Sequence, residues 1–232
     1  MNYFKTNLAF LIKQKNISTF DLSVETAIDL KKVQQFLAGK EPELEELIIL
    51  SEFLNCSLDS FIKQDIIKKT SAINSFDFKM LVTDIDGVLT DAGMYYSESG
   101  DEMKKYNAKD GLAIKMLIEQ DKKVGFISSG SNKNIINNRA KLFNIEHVYI
   151  GTWDKLSVLK EWCKELNISL KQVAYIGDDL NDLEIIKNVG LSACPNDSAD
   201  EVKEISNIIL SKNGGSGCLR ELYDILKKNK KI

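Results

Sequence analysis

Two groups of aspartates stand where apolar, strand-like segments of the chain end. Asp84 and Asp86 close one such segment, and Asp178, Asp179 and Asp182 follow another. Neighbouring strands of a parallel sheet end at the same edge, where ligands bind. Carboxylates gathered there would repel one another and take up protons unless a cation lay among them. Oxygen ligands without histidine or cysteine are typical of a hard divalent ion, so we predict a Mg²⁺ site.

Two other uses of these aspartates must be weighed. Aspartates often cap helices or form turns, and Asp182 taken alone fits that use. The residues from Asp84 to Gly87 also begin like a calcium-binding EF-hand loop, but that loop needs its glycine at the sixth position and lies between helices. Gly87 is the fourth residue counted from Asp84, and a strand-like segment precedes it. The EF-hand is therefore excluded, and a reaction site accounts best for both groups.

The composition limits the classes of function. The chain has 232 residues, of which 44% are hydrophobic, and this is enough for one large domain or two small ones. A net charge of -3 creates no strong field for nucleic acid or an anionic membrane. Four widely spaced cysteines suit reduced thiols in a cytoplasmic protein, and the single histidine, His147, excludes a multi-histidine metal site. No apolar stretch reaches about 18 residues, so we predict no transmembrane helix.

Residues 79–232 alternate strand-like and helix-like segments. Strand-like runs begin at Lys79, Lys123, His147 and Val173, and each is followed by a run in which apolar residues recur at helical spacing. This alternation predicts an α/β domain in which helices wrap a parallel sheet.

The first 67 residues predict a separate all-α domain. Apolar residues recur there at helical spacing over five short helices, with Ser18 and Asp29 as expected N-caps. The segment 68–78 has no clear periodicity and is predicted to be a linker. We therefore divide the chain into a helical domain (1–67), this linker and an α/β domain (79–232).

Residues 8–62 resemble the lambda-repressor-like helix-turn-helix family. The resemblance implies that the segment 29–37 is a recognition helix that enters the DNA major groove. The DNA contacts that it implies are Lys31, Lys32, Gln34 and Gln35. Residues 1–70, however, hold nine lysines, ten acidic residues and no arginine, whereas DNA binding depends on neutralising phosphates. A helical dimerisation or docking module is the alternative that this charge favours.

Six motifs occur in order over residues 79–226. They are DIDGVLTDAG, KYNAKDG, ISSGS, GTWDKL, AYIGDDLNDLE and GGSG. Together they resemble the haloacid dehalogenase superfamily of phosphatases. Within it, they resemble the branch that acts on 3-deoxy-D-manno-octulosonate 8-phosphate and on nine-carbon, sialic-type 9-phosphates. The resemblance implies a Rossmann-like parallel sheet with helices on both faces. It also implies a Mg²⁺-dependent phosphatase that acts on a sugar-acid phosphate in surface-polysaccharide synthesis.

The resemblance further implies roles for individual residues. Asp84 would attack phosphorus and form an aspartyl-phosphate, and Asp86 would protonate the leaving oxygen and then deprotonate water. Mg²⁺ would be held by Asp84, by Asp178 and by the backbone carbonyl of Asp86. Ser129 would bind a phosphoryl oxygen, and Lys155 would neutralise the charge that develops on the transferring group.

Neighbours of these residues have supporting roles in the same interpretation. Asp179 and Asp182 would orient metal-bound water and the catalytic lysine. Gly130 would bind the phosphate beside Ser129. Ser128 is adjacent, so it stays open whether Ser129 or Ser128 occupies the phosphate-binding position.

Substrate identity is where the chain departs from the family pattern. Relatives that take the eight-carbon acid commonly carry an arginine two positions after the phosphate-binding hydroxyl, and some nine-carbon-specific relatives carry a glutamate. This chain has Ser131, whose short neutral side chain cannot form a bidentate pair with a carboxylate. Lys109, Lys133 and Arg139 are the candidates for the missing charge, so the choice between the substrates stays open.

The spacing of the motifs predicts how substrate reaches the site. The stretch between Gly87 and Ser129 is too short for a cap domain, and its polar turn at 99–101 predicts a β-hairpin flap. Capless relatives close the active site with neighbouring subunits, which implies a homotetramer. The loop 214–217, followed by Arg220, matches the family's C-terminal segment, which helps to position substrate. A flexible turn before the last helix is the alternative.

Two other classes of function are open. In one, the chain is a DNA-binding regulator whose phosphatase-like domain senses a sugar phosphate without hydrolysing it. In the other, it is a receiver domain phosphorylated on Asp84, which Asp86 disfavours because its role is to speed hydrolysis. The intact set of Asp84, Ser129, Lys155 and Asp178 favours an enzyme.

Overall fold

The computed structural model of the protein describes residues 2–130, 133–151 and 154–232. The chain divides into two compact units, residues 1–71 and 72–232. Each unit has a hydrophobic core of its own. Within the described ranges, no helix combines the length and the apolar character that crossing a membrane requires.

The first unit consists of short helices around an apolar centre. The helices are Phe4–Lys15 (α1), Thr19–Thr26 (α2), Leu30–Ala38 (α3), Leu44–Leu54 (α4) and Leu58–Lys63 (α5). Both predicted N-caps are present. The Ser18 hydroxyl accepts a hydrogen bond from Asp21 N, and the Asp29 carboxylate accepts one from Lys31 N at 2.8 Å. Phe61 is fully buried among these helices.

The segment 68–78 is largely helical, where the sequence predicted a linker. The helix Ile66–Ser75 (α6) follows Asp65, whose carboxylate accepts a hydrogen bond from Lys68 N at 2.9 Å. Ile73 on this helix is buried. Apolar residues are too few here to produce a clear 3.6-residue pattern, so the helix could not be inferred from periodicity.

A six-stranded parallel sheet forms the centre of the second unit. The strands of this unit are Met80–Thr83 (β1), Tyr95–Tyr96 (β2), Glu102–Met103 (β3), Lys123–Ser128 (β4), His147–Ile150 (β5), Val173–Ile176 (β6), Leu191–Cys194 (β7) and Ile208–Ile209 (β8). The sheet has the order β5-β4-β1-β6-β7-β8. After β5 the chain returns to the other side of β1, so the strand order reverses between β1 and β6. In open α/β sheets this is the position where ligands bind.

Helices cover both faces of the sheet, as predicted. They are Ala108–Ile118 (α7), Lys133–Lys141 (α8), Lys155–Glu165 (α9), Leu183–Asn188 (α10), Asp200–Ile205 (α11) and Cys218–Lys228 (α12). Met80 and Val82 of β1 pack in the core shared with α9, α10 and α11. Leu81, between them, packs in the core shared with α7, α8 and α12. Because both sides of β1 are buried, its sequence is a continuous apolar run rather than an alternating one.

The sequence did not predict β7, α11 or β8. β7 carries the small residues Ser192 and Ala193, and its burial comes from its position between two other strands. The buried Ser192 hydroxyl donates to Asn207 Oδ1 at 3.1 Å, a contact that local sequence does not reveal. β8 has only two residues, too few for a periodicity to appear.

The predicted β-hairpin flap is confirmed. β2 and β3 pair antiparallel, with Tyr95 opposite Met103. Gly100 turns the chain between them with φ +85°, a left-handed conformation that glycine adopts without strain. The backbone N–H of Ser97 donates to Asp101 O at 2.9 Å and closes the turn.

Candidate active site

The two aspartate groups meet at the carboxyl edge of the sheet. β1 and β6 are paired neighbours, with Thr83 opposite Ile176, and Asp84 N extends the ladder by donating to Ile176 O at 2.9 Å. Asp84 therefore follows β1 at the level where β6 ends, and Asp178 follows Gly177 on the neighbouring strand. This edge lies at the reversal of strand order, where the sequence analysis expected the reaction site.

A buried lysine joins the two groups. Lys155 is the first residue of α9, and its Nζ lies 2.8 Å from Asp84 Oδ2 and 2.7 Å from Asp182 Oδ1. All three side chains are at most 5% exposed. Breaking such a pair from one side would leave a buried charge without a partner, which is strongly destabilising. The structure thus brings Asp84, Lys155 and Asp182 together as the sequence predicted.

Asp182 is fully occupied by protein donors. Its Oδ1 accepts from Lys155 and from the Tyr175 hydroxyl, the latter at 2.6 Å, and its Oδ2 accepts from Asp178 N at 2.9 Å and Asp179 N at 3.3 Å. Asp182 therefore holds the Lys155 ammonium in place, which is the geometry that the supporting role implied by the resemblance would require. The Asp179 side chain is used locally, since its Oδ1 accepts from Leu180 N at 2.7 Å and caps the short turn that holds Asp182.

The carboxylates fit a divalent cation. One oxygen from each of Asp84, Asp178 and Asp182 lies within 4.8 Å of the others. Asp178 Oδ1 is buried, and it has no hydrogen-bond partner among the described residues. A buried acceptor without a donor carries the full cost of desolvation, which a bound cation would remove. Each oxygen of Asp182 already accepts two hydrogen bonds, whereas each oxygen of Asp84 accepts one and Asp178 Oδ1 accepts none among the described residues. Asp84 and Asp178 are therefore the carboxylates with capacity left for an ion.

The pKa values of these groups reflect the same crowding. Burial, together with the Asp182 charge and against the effect of Lys155, raises the pKa of Asp84 from 3.8 to about 7. Burial and the charges of Asp84 and Asp182 raise the pKa of Asp178 to about 8. Burial alone would lower the pKa of Lys155, but the same two carboxylates raise it above its ordinary value. Without a cation the site therefore binds protons near neutral pH.

Asp86 lies beside the flap. Its Oδ1 is paired with Lys104 Nζ, and its Oδ2 accepts from the Ser128 hydroxyl at 3.5 Å. Lys104 also pairs with Glu102 at 2.9 Å. Lys104 and Glu102 were not among the residues that the sequence predicted. The two acidic residues followed by two lysines in GDEMKKY suggest an ion pair on the flap, but they do not show which lysine faces inward.

The two serines after β4 have different surroundings. Ser128 is fully buried, and its hydroxyl accepts from Gly130 N at 3.0 Å in addition to its contact with Asp86. Ser129 is half-buried, and its hydroxyl accepts from Asn181 Nδ2 at 3.2 Å. Ser129 is thus the more accessible of the two, while Ser128 is committed to contacts within the protein. Ser131 lies outside the described residues.

Of the three candidates for substrate charge, Lys133 is exposed at the start of α8, and Arg139 and Lys109 lie in different surroundings. The Arg139 guanidinium stacks on the rings of Tyr106 and Phe143, at 4.7 and 4.9 Å from their centroids. Arg139 Nε and the Tyr106 hydroxyl are buried, and neither has a hydrogen-bond partner among the described residues. Lys109 is exposed and lines a groove of about 540 Å³ with Arg220.

The C-terminal loop 214–217 packs against the segment that follows β1. Gly215 N donates to Val88 O at 2.9 Å, and a Cβ on Gly214 would lie 2.1 Å from Gly87 O. The loop is tied to the start of α7 by Asn107, whose Nδ2 donates to Gly215 O at 3.2 Å. The first turn of α12, which follows the loop, is tied to α7 by buried Asp110, whose Oδ1 accepts from Arg220 N at 2.8 Å. Burial raises the pKa of Asp110 to about 6. The loop is therefore a packed part of the site's wall rather than a free turn.

Gly87 allows Asp178 to reach the site, and its replacement is the first test. Gly87 has φ +86°, and a Cβ there would lie 1.9 Å from Asp178 Oδ2. Gly100 has nearly the same φ, +85°, with nothing within 4 Å of its Cβ position. Both alanine variants store left-handed strain of about 1 kcal/mol, but only Gly87→Ala displaces a carboxylate. We expect Gly87→Ala to lose Mg²⁺-dependent thermal stabilisation and Gly100→Ala to keep it. Equal behaviour of the two variants would contradict this geometry.

The raised carboxyl pKa values make the metal's effect depend on pH. The folded, metal-free protein holds protons on Asp84 and Asp178 that the unfolded chain has lost above about pH 4, so its stability falls as pH rises toward 8. Mg²⁺ binds the ionised carboxylates and offsets their repulsion. We expect Mg²⁺ to raise the melting temperature more at pH 8 than at pH 5.5, measured by calorimetry. Asp178→Asn, the control, should lose most of this difference, and an equal shift at both pH values would contradict the account.

Comparison with known proteins gives the family of the second unit. The sequence profile of the haloacid dehalogenase-like hydrolases matches residues 130–222. Over 165 residues the chain is 33% identical to the 3-deoxy-D-manno-octulosonate 8-phosphate phosphatase of Yersinia pestis, and the match covers 71% of this chain and 85% of the relative.

Solved structures agree with the sequence match. The phosphatase of the same name from Moraxella catarrhalis, solved with magnesium, phosphate and KDO, is 31% identical with a TM-score of 0.65, covering 70% of this chain and 91% of that one. The cobalt-bound enzyme from Haemophilus influenzae is 31% identical with a TM-score of 0.64, covering 68% and 91%. The chain therefore belongs to the haloacid dehalogenase-like hydrolases, and within them to the branch of phosphatases that contains these relatives.

Proposed function

We propose that the protein is a Mg²⁺-dependent phosphatase that hydrolyses a sugar-acid phosphate, with 3-deoxy-D-manno-octulosonate 8-phosphate as its first candidate substrate. The observation that carries the proposal is the buried arrangement of Asp84, Lys155 and Asp182 beside Asp178, whose Oδ1 lacks a donor among the described residues. The relatives from Yersinia pestis and Moraxella catarrhalis bear the name of this activity.

In the first step, an Asp84 carboxylate oxygen attacks phosphorus. The bond from phosphorus to the ester oxygen breaks, and Asp86 gives its proton to that oxygen, which leaves as an alcohol. Ile85 N donates to Asp84 Oδ1 at 2.7 Å and Lys155 binds Oδ2, so the carboxylate has a fixed direction before substrate arrives. Preorganised charge of this kind lowers the barrier without reorganisation during the reaction.

In the second step, water attacks the phosphorus of the aspartyl-phosphate. Asp86, now ionised, takes the water's proton, and the bond from phosphorus to Asp84 breaks to restore the carboxylate and release phosphate. Ser129, with Gly130 N beside it, binds phosphoryl oxygens, and Lys155 balances their charge. Asp84, Asp178 and the backbone carbonyl of Asp86 would hold Mg²⁺, which would supply Lewis-acid charge that offsets the repulsion between phosphate and carboxylate.

Arg139 is the residue that we propose for the substrate's carboxylate. Its Nε and the neighbouring Tyr106 hydroxyl are buried donors without partners among the described residues. An acid group placed there would satisfy both donors, and a charge-assisted bond to arginine is strong. Lys109 is exposed and is proposed as a weaker, peripheral contact. A nine-carbon, sialic-type 9-phosphate is the alternative substrate.

We further propose that the protein acts in the cytoplasm as a homotetramer. The flap exposes four apolar side chains, Met94, Tyr95, Tyr96 and Met103, which are between 44% and 75% exposed. Apolar side chains grouped on one hairpin suit a subunit contact. A neighbouring subunit would then cover a site that lacks a cap domain.

Part of the polar surface suggested for DNA contact is already engaged within the N-terminal unit. Lys32 Nζ is paired with Glu46 at 2.6 Å, and Gln35 Oε1 accepts from Lys40 at 3.2 Å. Of the four residues suggested for DNA contact, these two side chains already have protein partners. We therefore propose that this unit docks protein rather than DNA, with helix-turn-helix DNA binding as the alternative.

A panel of sugar phosphates tests the catalytic proposal. Purified protein with Mg²⁺ is expected to release phosphate from 3-deoxy-D-manno-octulosonate 8-phosphate at least 10-fold faster, in kcat/KM, than from simple hexose phosphates, because charge-assisted recognition of a carboxylate by Arg139 contributes on the order of 1.5–3 kcal/mol. Asp84→Asn should lose turnover and keep its thermal stability, because Asp182 still pairs with Lys155 when the Asp84 charge is removed. Stronger release from the nine-carbon phosphate would change the substrate, and binding without release would favour the sensor.

Electrophoretic mobility of duplex DNA tests the N-terminal proposal. Full-length protein is expected to cause no shift at about 0.15 M salt, since α3 offers too little unpaired positive charge to release counterions. Lys31→Glu and, as a control away from α3, Lys13→Glu should both match the unmodified protein. A salt-sensitive shift that only Lys31→Glu abolishes would restore the DNA-binding function.

A further inference from the structure

Lys104 is a buried lysine on an exposed hairpin. Its side chain is only 6% exposed, whereas that of the next residue, Lys105, is 68% exposed and Met103 before it is 60% exposed. Burying a lysine that far is costly unless it is paired. Its Nζ is paired twice, with Asp86 Oδ1 and with Glu102 Oε1 at 2.9 Å. The flap therefore points one charge inward, at the residue proposed as the general acid.

The Asp86 carboxylate is held from two directions. Lys104 binds Oδ1 from the flap, and the Ser128 hydroxyl donates to Oδ2 at 3.5 Å from the end of β4. Gly130 lies close on the Oδ2 side, where a Cβ would be 3.1 Å from Asp86 Oδ2. Since Asp86 is itself partly exposed, these contacts rather than core packing fix the direction of its carboxyl group.

Glu102 distinguishes positioning from phosphate binding. A lysine meant to bind the transferring phosphate would face an anion with its charge free. Lys104 instead lies between Asp86 and Glu102, so its charge is already balanced by two carboxylates. The arrangement acts as a bracket: Glu102 holds the lysine, and the lysine holds Asp86. Lys105, the next residue, is exposed and pairs with Asp91 at 2.9 Å rather than with Asp86 or Glu102.

We propose that Lys104 is a positioning residue for the proposed phosphatase reaction: it fixes the Asp86 carboxyl where it can hand a proton to the leaving oxygen, and so links proton transfer to the flap. This inference rests on the proposed function. In the step concerned, the bond from phosphorus to the ester oxygen breaks with its electron pair remaining on that oxygen, and the proton from Asp86 completes the alcohol. Lys104 neither gives nor accepts the proton.

Whether the first step needs a proton depends on the leaving group, and this difference lets a test separate proton donation from phosphate binding. A sugar alcohol is a poor leaving group and requires the proton from Asp86. The phenolate released from para-nitrophenyl phosphate is stable without one. The ratio of kcat/KM for the sugar-acid phosphate to kcat/KM for the aryl phosphate therefore reports proton donation in the first step. Loss of phosphate binding, or partial unfolding of the protein, lowers both kcat/KM values by the same factor and leaves their ratio unchanged.

The experiment measures this ratio with Mg²⁺ in full-length variants. Asp86→Asn and Lys104→Met are each expected to lower kcat/KM for the sugar-acid phosphate by about 100-fold, the lower end of a general-acid contribution, and for the aryl phosphate by about 3-fold or less. Lys104→Arg should recover part of the ratio. Lys105→Met, on the same hairpin, is the matched control and should leave the ratio at its unmodified value. Glu102→Gln removes one of the two carboxylates that hold Lys104 but keeps the lysine, and we expect it to lower the ratio about 10-fold. If Lys104→Met fails to fold, Glu102→Gln tests the proposal in its place.

The outcomes separate this inference from the proposed function. An equal loss on both esters in Lys104→Met would make the lysine a phosphate ligand and overturn the inference. An unchanged ratio in Lys104→Met and Glu102→Gln would also overturn it, while leaving the phosphatase in place. If the unmodified protein turns over neither ester, the proposed function fails, and the inference fails with it.

Discussion

The site depends on placing one lysine and three largely buried carboxylates at the edge of a sheet. Lys155 neutralises one negative charge, so Asp84, Asp178 and Asp182 together leave an excess. An excess of buried negative charge raises carboxyl pKa values, and those of Asp84 and Asp178 rise to about 7 and about 8. A divalent cation is the simplest way to relieve this repulsion. The metal requirement is therefore a consequence of the protein's own electrostatics.

Close backbone approach makes this crowding possible. Gly87 leaves room for Asp178, and a Cβ on Gly177 would lie 2.4 Å from Asp182 Oδ2. Gly214 lets the C-terminal loop pack on the same segment from outside. The rigid side of the site is thus built from strand ends and glycines. The other side is the hairpin flap, which touches the site through Lys104 and keeps most of its apolar side chains exposed. Asp84, the proposed nucleophile, is buried and fixed, whereas Asp86, the proposed acid, is more exposed. This arrangement suits a reaction whose first step needs both groups and whose product must then leave.

The sequence predicted those parts of the site that a short stretch of consecutive residues is enough to indicate. Continuous apolar runs indicated the strands, and the aspartates that end them indicated the reacting edge. Lys155 stood out because of the family motif, since a lysine at the start of a helix is otherwise unremarkable in sequence. What was missed depends on distant partners. Asp110 accepts from Arg220 N across more than a hundred residues, and Lys104 meets Asp86 across 18 residues while the next residue, Lys105, stays exposed. Tyr175 and Asp182 are close in sequence, but they meet only once the chain turns after β6. The helix Ile66–Ser75 was missed because its few apolar residues carry no period.

The central claim is that Asp84 carries the phosphoryl group, and the most direct measurement is the mass of that residue during turnover. Protein mixed with substrate and Mg²⁺ is quenched in acid within milliseconds, digested, and its peptides weighed. The account predicts that the peptide containing Asp84 gains the mass of one phosphoryl group and that the gain disappears as substrate is exhausted. With para-nitrophenyl phosphate, whose leaving group needs no proton from Asp86, Asp86→Asn should increase the gain by slowing the second step. Rapid phosphate release without any phosphorylated peptide, or with phosphate on another residue, would contradict the account.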